Sequence, residues 1–379
     1  RQLNVGKPTR RRKLSQRRRD SGWNRRPLCI VMTQPDLPDF HTQTGTTARV
    51  SPRLGLCCAF VAEPTLKFRT TTATHLSRLA AQGETVAFEF YAQLIRHNLD
   101  ALERVLLWCD LAGVHAFRIN SDLWPRATHP LVMPWVNDLF SHSDIVAQCA
   151  RVRETASRCD IRLSEHPDQF LVGNSLRPDV VNSTIAELEW RGQLGDALGV
   201  DVICLHIGSG APDKTTALWR WETTLARLSP SVFGKLAFEN DDRVFTPEDI
   251  LPACLAWGLP LIYDAHHHRV CPDSLSEADA TEFAIASWGD REPYFHLSSP
   301  RAGWNAGDAR AHHDMIEPND WLTEWTAMWQ AGAPFTVDVE AKAKEHAVLA
   351  LRRTFVGLRQ RAHGEPPAAN GHRAARLRT

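Results

Sequence analysis

The 379-residue chain has no CxxC pair. Its nine cysteines are scattered, with Cys57 and Cys58 adjacent and Cys204 inside an apolar run. That spacing argues against a disulfide framework and for a reducing compartment in which most thiols are buried. No run of about 18 apolar residues occurs, so no segment is expected to span a membrane. No apolar stretch follows the basic residues at the N-terminus, so that end does not read as a secretory signal. A Gly-rich phosphate turn after the first strand-like run is also missing, which counts against a doubly wound open sheet. The chain opens on Arg1 rather than Met, which fits a truncated or misread start.

Net charge is absent as well, but only in the total. The chain carries 44 Lys and Arg against 44 Asp and Glu. Residues 1–26 hold eleven of the basic residues against the single acid Asp20, and from Arg352 onward seven arginines stand against Glu365. The stretch between them keeps 26 basic and 42 acidic residues. Such a negative body is not the usual footprint of a nucleic-acid binder, although a cluster of divalent cations would need part of that excess. Residues 1–50, rich in Arg, Pro, Thr and Gln, read as a disordered basic segment, with a phosphate-contacting arm as the alternative. Residues 364–379 read as a disordered tail, which leaves 51–363 as the catalytic domain.

Within that domain six segments share one layout, an apolar run that ends in a histidine or an acid. They are IRLSEH to His166, VICLH to His206, KLAFE to Glu239, PLIYD to Asp264, PYFH to His296 and FTVDVE to Glu340. Strands are expected over 53–60, 116–121, 161–165, 202–207, 235–239, 260–264, 293–297 and 335–340, with helical patterns between them. Leu99, Leu102, Leu106 and Cys109 share one helical face that ends near Gly113. Thr246-Pro247-Glu248-Asp249 carries a capping hydroxyl, an early proline and acids at the positive end of the helix dipole. Glu317-Pro318-Asn319-Asp320 reads as a second helix start. Residues 61–96 form a long first crossover with room for an extra turn or a lid. Eight strands alternating with eight helices predict an α/β fold, a (β/α)8 TIM barrel.

All strand ends of such a barrel point at one rim. His166, His206, Glu239, Asp264, His296 and Glu340 are then expected to ring a single site, with His267 and His312 reaching it from the loops after strands six and seven. That many carboxylates and imidazoles cannot all be buried without cations, because desolvation and mutual repulsion would protonate the acids. Mixed nitrogen and oxygen ligation suits Zn2+ or Mn2+, with Mg2+ competing, and a carboxylate such as Glu239 can bridge two ions. Two ions about 4 Å apart activate water and stabilise displacement at phosphorus, which favours a phosphodiester over a plain sugar. Of His266, His267 and His268, one or two are expected to face the site. His129, in a loop after the second strand, is either a packing residue or one that positions the scissile phosphate.

The motifs LSEHPDQF (163–170), LHIGSG (205–210), LAFENDD (236–242), YDAHHH (263–268), FHLSSP (295–300) and VEAKAKE (339–345) resemble the UV-damage endonuclease family, in order, through most of residues 53–350. The resemblance implies a barrel of the xylose-isomerase-like, apurinic-endonuclease type. It implies a metal-dependent DNA repair enzyme that incises damaged double-stranded DNA 5′ to cyclobutane dimers, 6-4 photoproducts and some abasic sites. His166, His206 and Glu239 would hold one ion and Glu239, Asp264, His296 and Glu340 a second, with His267 and His312 serving a third; manganese is typical. His129 and Glu239 would take catalytic roles, His129 near the cleaved phosphate, and Gln169-Phe170 would probe the gap left by flipped-out bases. Three positions depart from the family's pattern: Leu56 replaces a first-strand Tyr, Phe60 stands at the later Asn position, and Tyr294 stands where some members carry a carboxylated Lys. A monomer in the cytoplasm, associated with the nucleoid when acting on DNA, is the expected setting. Two other readings compete, a barrel metalloenzyme acting on a small sugar or sugar phosphate (isomerase or epimerase) and a degenerate barrel that binds without cutting.

Overall fold

In a strand, successive side chains point to opposite faces, so each short apolar run serves two layers at once. The computed structural model of the chain describes residues 52–167 and 170–362; the expectations for 1–50 and 364–379 fall outside them. Its strands are β1 (Arg53–Cys57), β2 (Ala116–Ile119), β3 (Arg162–Glu165), β4 (Val200–His206), β5 (Leu236–Glu239), β6 (Leu261–Asp264), β7 (Tyr294–Leu297) and β8 (Thr336–Val339). They form a closed parallel barrel in sequence order, shut by the pairing of β8 with β1. This is the eight-fold barrel expected from the sequence.

One alternate set, including Leu54, Leu56, Phe117, Leu163, Ile203, Leu205, Phe238, Phe295 and Val337, belongs to the main core shared with the helices. Each such side chain, fully buried, contributes about 1.5–3 kcal/mol. The other set turns into the barrel. There Val202, Cys204, Ala237, Ile262 and Tyr294 make a small separate cluster with Trp288. The interior is otherwise polar: Tyr294 donates from its hydroxyl to Asp338 Oδ1 at 2.9 Å and lies 2.9 Å from Ser164 Oγ. Gly55 leaves the room for that acid, since a Cβ there would sit 1.9 Å from Asp338 Oδ1.

The helix expected to end near Gly113 runs from Glu84 to Ala112 and stops on Gly113 at φ 67°, with Leu99, Leu102, Leu106 and Cys109 buried. Thr246 accepts from Asp249 N, and Asp249 in turn accepts from Thr246 N, which completes the cap of the helix Pro247–Trp257. Two boundaries differ clearly from expectation, and the first crossover does hold extra turns. β1 stops at Cys57, because Cys58 takes φ 69° and turns the chain out of the sheet. Glu317–Asp320 opens only a single 3-10 turn, and the helix begins later at Thr323. The first crossover holds a 3-10 turn, Pro64–Leu66, and a short helix, Ala73–Ala80, before the long helix starts at Glu84. Among the described residues, no helix is long and apolar enough to cross a membrane.

Candidate metal centre

Barrel closure carries the inward-facing set of β4 to β8 to one rim. Register pairs His206 with Glu239, Asp264 with His296, and His296 with Asp338. His166 follows β3 and Glu340 follows β8 by one residue each. The six strand-end residues are therefore delivered by backbone pairing, with no long loop needed to bring them together.

Glu239 is the centre of this arrangement and is fully buried. Its two oxygens face different partners. Oε2 lies 2.9 Å from His166 Nε2 and 3.7 Å from His206 Nε2. Oε1 lies 2.9 Å from His296 Nδ1 and 3.3 Å from His267 Nδ1. Asp264 adds its Oδ2 at 3.5 Å from His267 Nδ1, while its other oxygen accepts from His267 N and so caps the helix Ala265–Val270. Glu340 reaches His296 Nδ1 at 3.5 Å and His312 Nδ1 at 3.7 Å. His312 itself is placed by a bridge to Pro300, at the start of the loop after β7.

The triple histidine lies on a helical turn rather than on a strand, so its three rings spread around an axis. His267 faces the site. His268 is tied outward, 2.9 Å from both Tyr263 Oη and Asp273 Oδ1. His266 is fully buried against Trp304 and His312, and neither of its ring nitrogens has a hydrogen-bond partner.

The local electrostatics follow from this crowding. Burial raises the Glu239 carboxyl, but the imidazoles of His296 and His206 outweigh it and hold the group well below the usual carboxylate range. Burial disfavours charge on His296, yet Glu239 overrides it and the ring is pushed up to about 9. His267 is raised in the same way, with Asp264 leading the attraction over burial. For His206 burial wins and the ring is lowered. Glu340 is kept well below the ordinary range: against burial, Arg118 and then His296 favour its charge.

Do these donors fit divalent ions? Glu239 Oε1 and His296 Nδ1 approach each other at 2.9 Å outside hydrogen-bond geometry, and Asp264 Oδ2, His206 Nδ1 and His296 Nε2 are buried without a hydrogen-bond partner. Lone pairs left unpaired in the interior cost about 1–3 kcal/mol each. Two sets of donors, one atom per residue, lie within 4.8 Å of one another: His166, Cys204, Glu239 and His296, and His206, Glu239 and His267. The residues present suit a bound cation better than they suit each other.

Three inward residues escaped the sequence reading: Cys204, Arg118 and Asp338. The Cys204 thiol donates to Glu239 Oε2 at 3.0 Å, and Arg118 donates to Glu340 Oε1 at 2.6 Å. Asp338 Oδ2 lies 3.9 Å from His296 Nε2 and 3.6 Å from Arg118 Nε. The available signal was the two-residue period of a strand, since Cys204 stands two before His206 and Asp338 two before Glu340.

Other expected contacts lie apart from the cluster. His129 accepts from Leu131 N at 3.2 Å and lines a cleft of about 670 Å³ together with Trp124, Trp190, Glu165 and Phe170. Phe170 is 79% exposed there, a large aromatic face held out to solvent. Gln169 lies outside the described residues. Leu56 is fully buried in the core between sheet and helices, and Phe60 is buried beside Trp108 and Phe117. Tyr294 is locked in the barrel interior as described above.

Comparison with known proteins agrees with the barrel fold. Residues 52–364 match the family of the UV-endonuclease UvdE. The chain is 28% identical to the UV DNA damage endonuclease of Nostoc sp. over 334 residues, 85% of this chain and 96% of that one. It is 29% identical to the enzyme of the same description from Deinococcus radiodurans, over 79% of this chain and 95% of that one. The UV-damage endonuclease of Neurospora crassa is 29% identical over 72% of this chain, which spans only 42% of that longer protein. The crystal structure of SacUVDE superposes with a TM-score of 0.68 at 25% identity, covering 81% of this chain and 98% of that one. With its rim residues in place and the match running through the whole barrel, the chain belongs to the UV-endonuclease UvdE family.

Proposed function

We propose that the protein is a metal-dependent endonuclease that incises the phosphodiester 5′ to UV photoproducts, cyclobutane dimers and 6-4 photoproducts, and also at abasic sites. The observation that carries this reading is the placement of Glu239, itself fully buried, whose two oxygens face separate imidazole sets. That is the placement expected of a carboxylate shared by two ions. On this reading His166, His206 and Glu239 hold one ion, and Glu239, Asp264, His296 and Glu340 hold a second, with His267 and His312 available to a third. When bound, such ions, proposed to be Mn2+, supply an activated water and neutralise charge on the phosphate under attack.

The chain's own residues do the rest. Arg118 holds Glu340 at 2.6 Å and fixes its orientation toward His296 and His312. His129 orients the scissile phosphate from the loop after β2. Phe170, exposed at the cleft, stacks where a damaged base has left its neighbours, a role proposed for Gln169 as well; an aromatic face can take that place whatever the sequence. The substrate is damaged double-stranded DNA.

The test is a nicking assay with Mn2+ and two duplexes, one carrying a single thymine dimer and one undamaged. A nick 5′ to the dimer, absent from the control duplex and abolished in Glu239→Ala, is the expected result. Inactivity on both duplexes with turnover of an aldose phosphate would overturn the reading in favour of a sugar-converting barrel.

A further inference from the structure

Cys204 sits on β4 two residues before His206, so both side chains enter the barrel on the same face. It is 2% exposed, at the depth of the site rather than on its rim. Its Sγ is 3.0 Å from Glu239 Oε2 and lies within 4.8 Å of one donor atom each of His166, Glu239 and His296. A second observation points to a missing ligand at this place. His296 is fully buried; its Nδ1 lies 2.9 Å from Glu239 Oε1 outside hydrogen-bond geometry, and its Nε2 has no hydrogen-bond partner. Around one ion, bonds of about 2.0–2.3 Å to sulfur, nitrogen and oxygen hold four donors roughly 3–4 Å apart. The contacts of Glu239 Oε2 with Cys204 Sγ at 3.0 Å and His166 Nε2 at 2.9 Å have about that spacing, and the whole set lies within 4.8 Å.

We infer that Cys204 is a metal ligand, and that one ion position in this site is a mixed sulfur, imidazole and carboxylate site made by Cys204, His166, His296 and Glu239. The inference rests on the metal-centre reading above and regroups it at one position, where His166 and His296 share an ion with Cys204 and Glu239 instead of serving separate ions. As the ion enters, the thiol gives up its proton to solvent and the sulfur lone pair takes its place on the metal. Thiolate ligation favours zinc over manganese or magnesium, which prefer oxygen donors. Zn2+ is therefore the ion this position selects, while the oxygen-rich side of the centre, with Asp264 and Glu340, remains suited to Mn2+. Nothing else in the barrel offers sulfur as closely: among the described cysteines, only Cys204 belongs to a set of converging metal donors.

Co2+ reports the two questions separately. The full chain, stripped with chelator and titrated with Co2+, is expected to show visible d–d bands and a near-ultraviolet sulfur-to-cobalt charge-transfer band that Zn2+ displaces. Cys204→Ser should lose the charge-transfer band while keeping bound cobalt. Cys57→Ser, a control for the other inward thiol near the site, should keep the band. Cobalt bound without any charge-transfer band in the unaltered protein would overturn the assignment of Cys204 and leave the metal centre standing. Persistence of the band in Cys204→Ser would overturn it equally. Failure to bind cobalt at all would remove both readings.

Discussion

At the scale of single residues, the site is legible where a ligand ends an apolar run and illegible where it lies within one. His206, Glu239, Asp264, His296 and Glu340 announce themselves because an imidazole or an acid ends a run of buried apolar neighbours, and His166 ends IRLSEH in the same way beside Ile161 and Leu163. Cys204 does not, since a thiol is unremarkable in VICLH and only the strand's two-residue period places it with His206. His267 was read as a loop residue, yet its position depends on Asp264 capping a helical turn, which a run of three histidines conceals. Two substitutions separate the roles. His129→Ala should leave fold and bound metal intact and slow nicking about a hundredfold, the scale of a lost positioning or proton-transfer group; loss of metal in that variant would make His129 a ligand. Phe170→Ala should weaken binding to a dimer-containing duplex about tenfold, since stacking on one base is worth about 1–3 kcal/mol. Its metal content should stay unchanged, and equal loss of affinity for undamaged duplex would deny the side chain a probing role.

At the scale of elements, strand identity was readable and strand length was not. The periodic apolar runs mark all eight strands, but the end of β1 is set by the left-handed conformation of Cys58, which composition does not reveal. The turn at Glu317 mimics a helix start in its residues and fails to propagate, because Trp321 and Leu322 are extended before the helix begins at Thr323. Gly55 shows what β1 must do for its neighbour β8. Gly55→Ala would drive a methyl into Asp338, at a cost of about 1–3 kcal/mol or more for an overpacked interior. A urea unfolding midpoint lowered accordingly is the expected result, and an unchanged midpoint would mean that Asp338 has room to move. The helix faces make a further prediction. Burial pushes the Cys149 thiol, on the inner face of the helix Ser143–Arg158, up to about 11, and that of Cys254, on the helix Pro247–Trp257, up to about 12. Both should resist iodoacetamide at pH 8 in the folded protein, where the thiolate is scarce, and react once the protein is unfolded; mass mapping of the labelled peptides reads the difference.

At the scale of the molecule, the chain divides its charge, with basic ends and an acidic body. The acidity has a local explanation in part: Glu239, Asp264, Asp338 and Glu340 are gathered within one barrel and are balanced there by Arg118 and the imidazoles. A closed parallel barrel makes this gathering possible. Residues as far apart as His166 and His296 both reach Glu239 because β3, β5 and β7 end at the same rim, and a sequence-local fold could not bring them together. The barrel's lower interior was not foreseen as polar, although Arg53, Arg162, Glu292 and Thr336 form a buried ion-pair and hydrogen-bond network there. Burying such pairs costs desolvation that offsets much of their attraction. The most direct test of the whole account is anomalous diffraction from crystals soaked in Mn2+ and Zn2+, with data collected at each metal's absorption edge. The account predicts at least two peaks flanking the Glu239 carboxylate, one toward His166 and Cys204 and one toward Asp264 and Glu340. Crystals whose anomalous maps show no peak within bonding distance of Glu239 would contradict it.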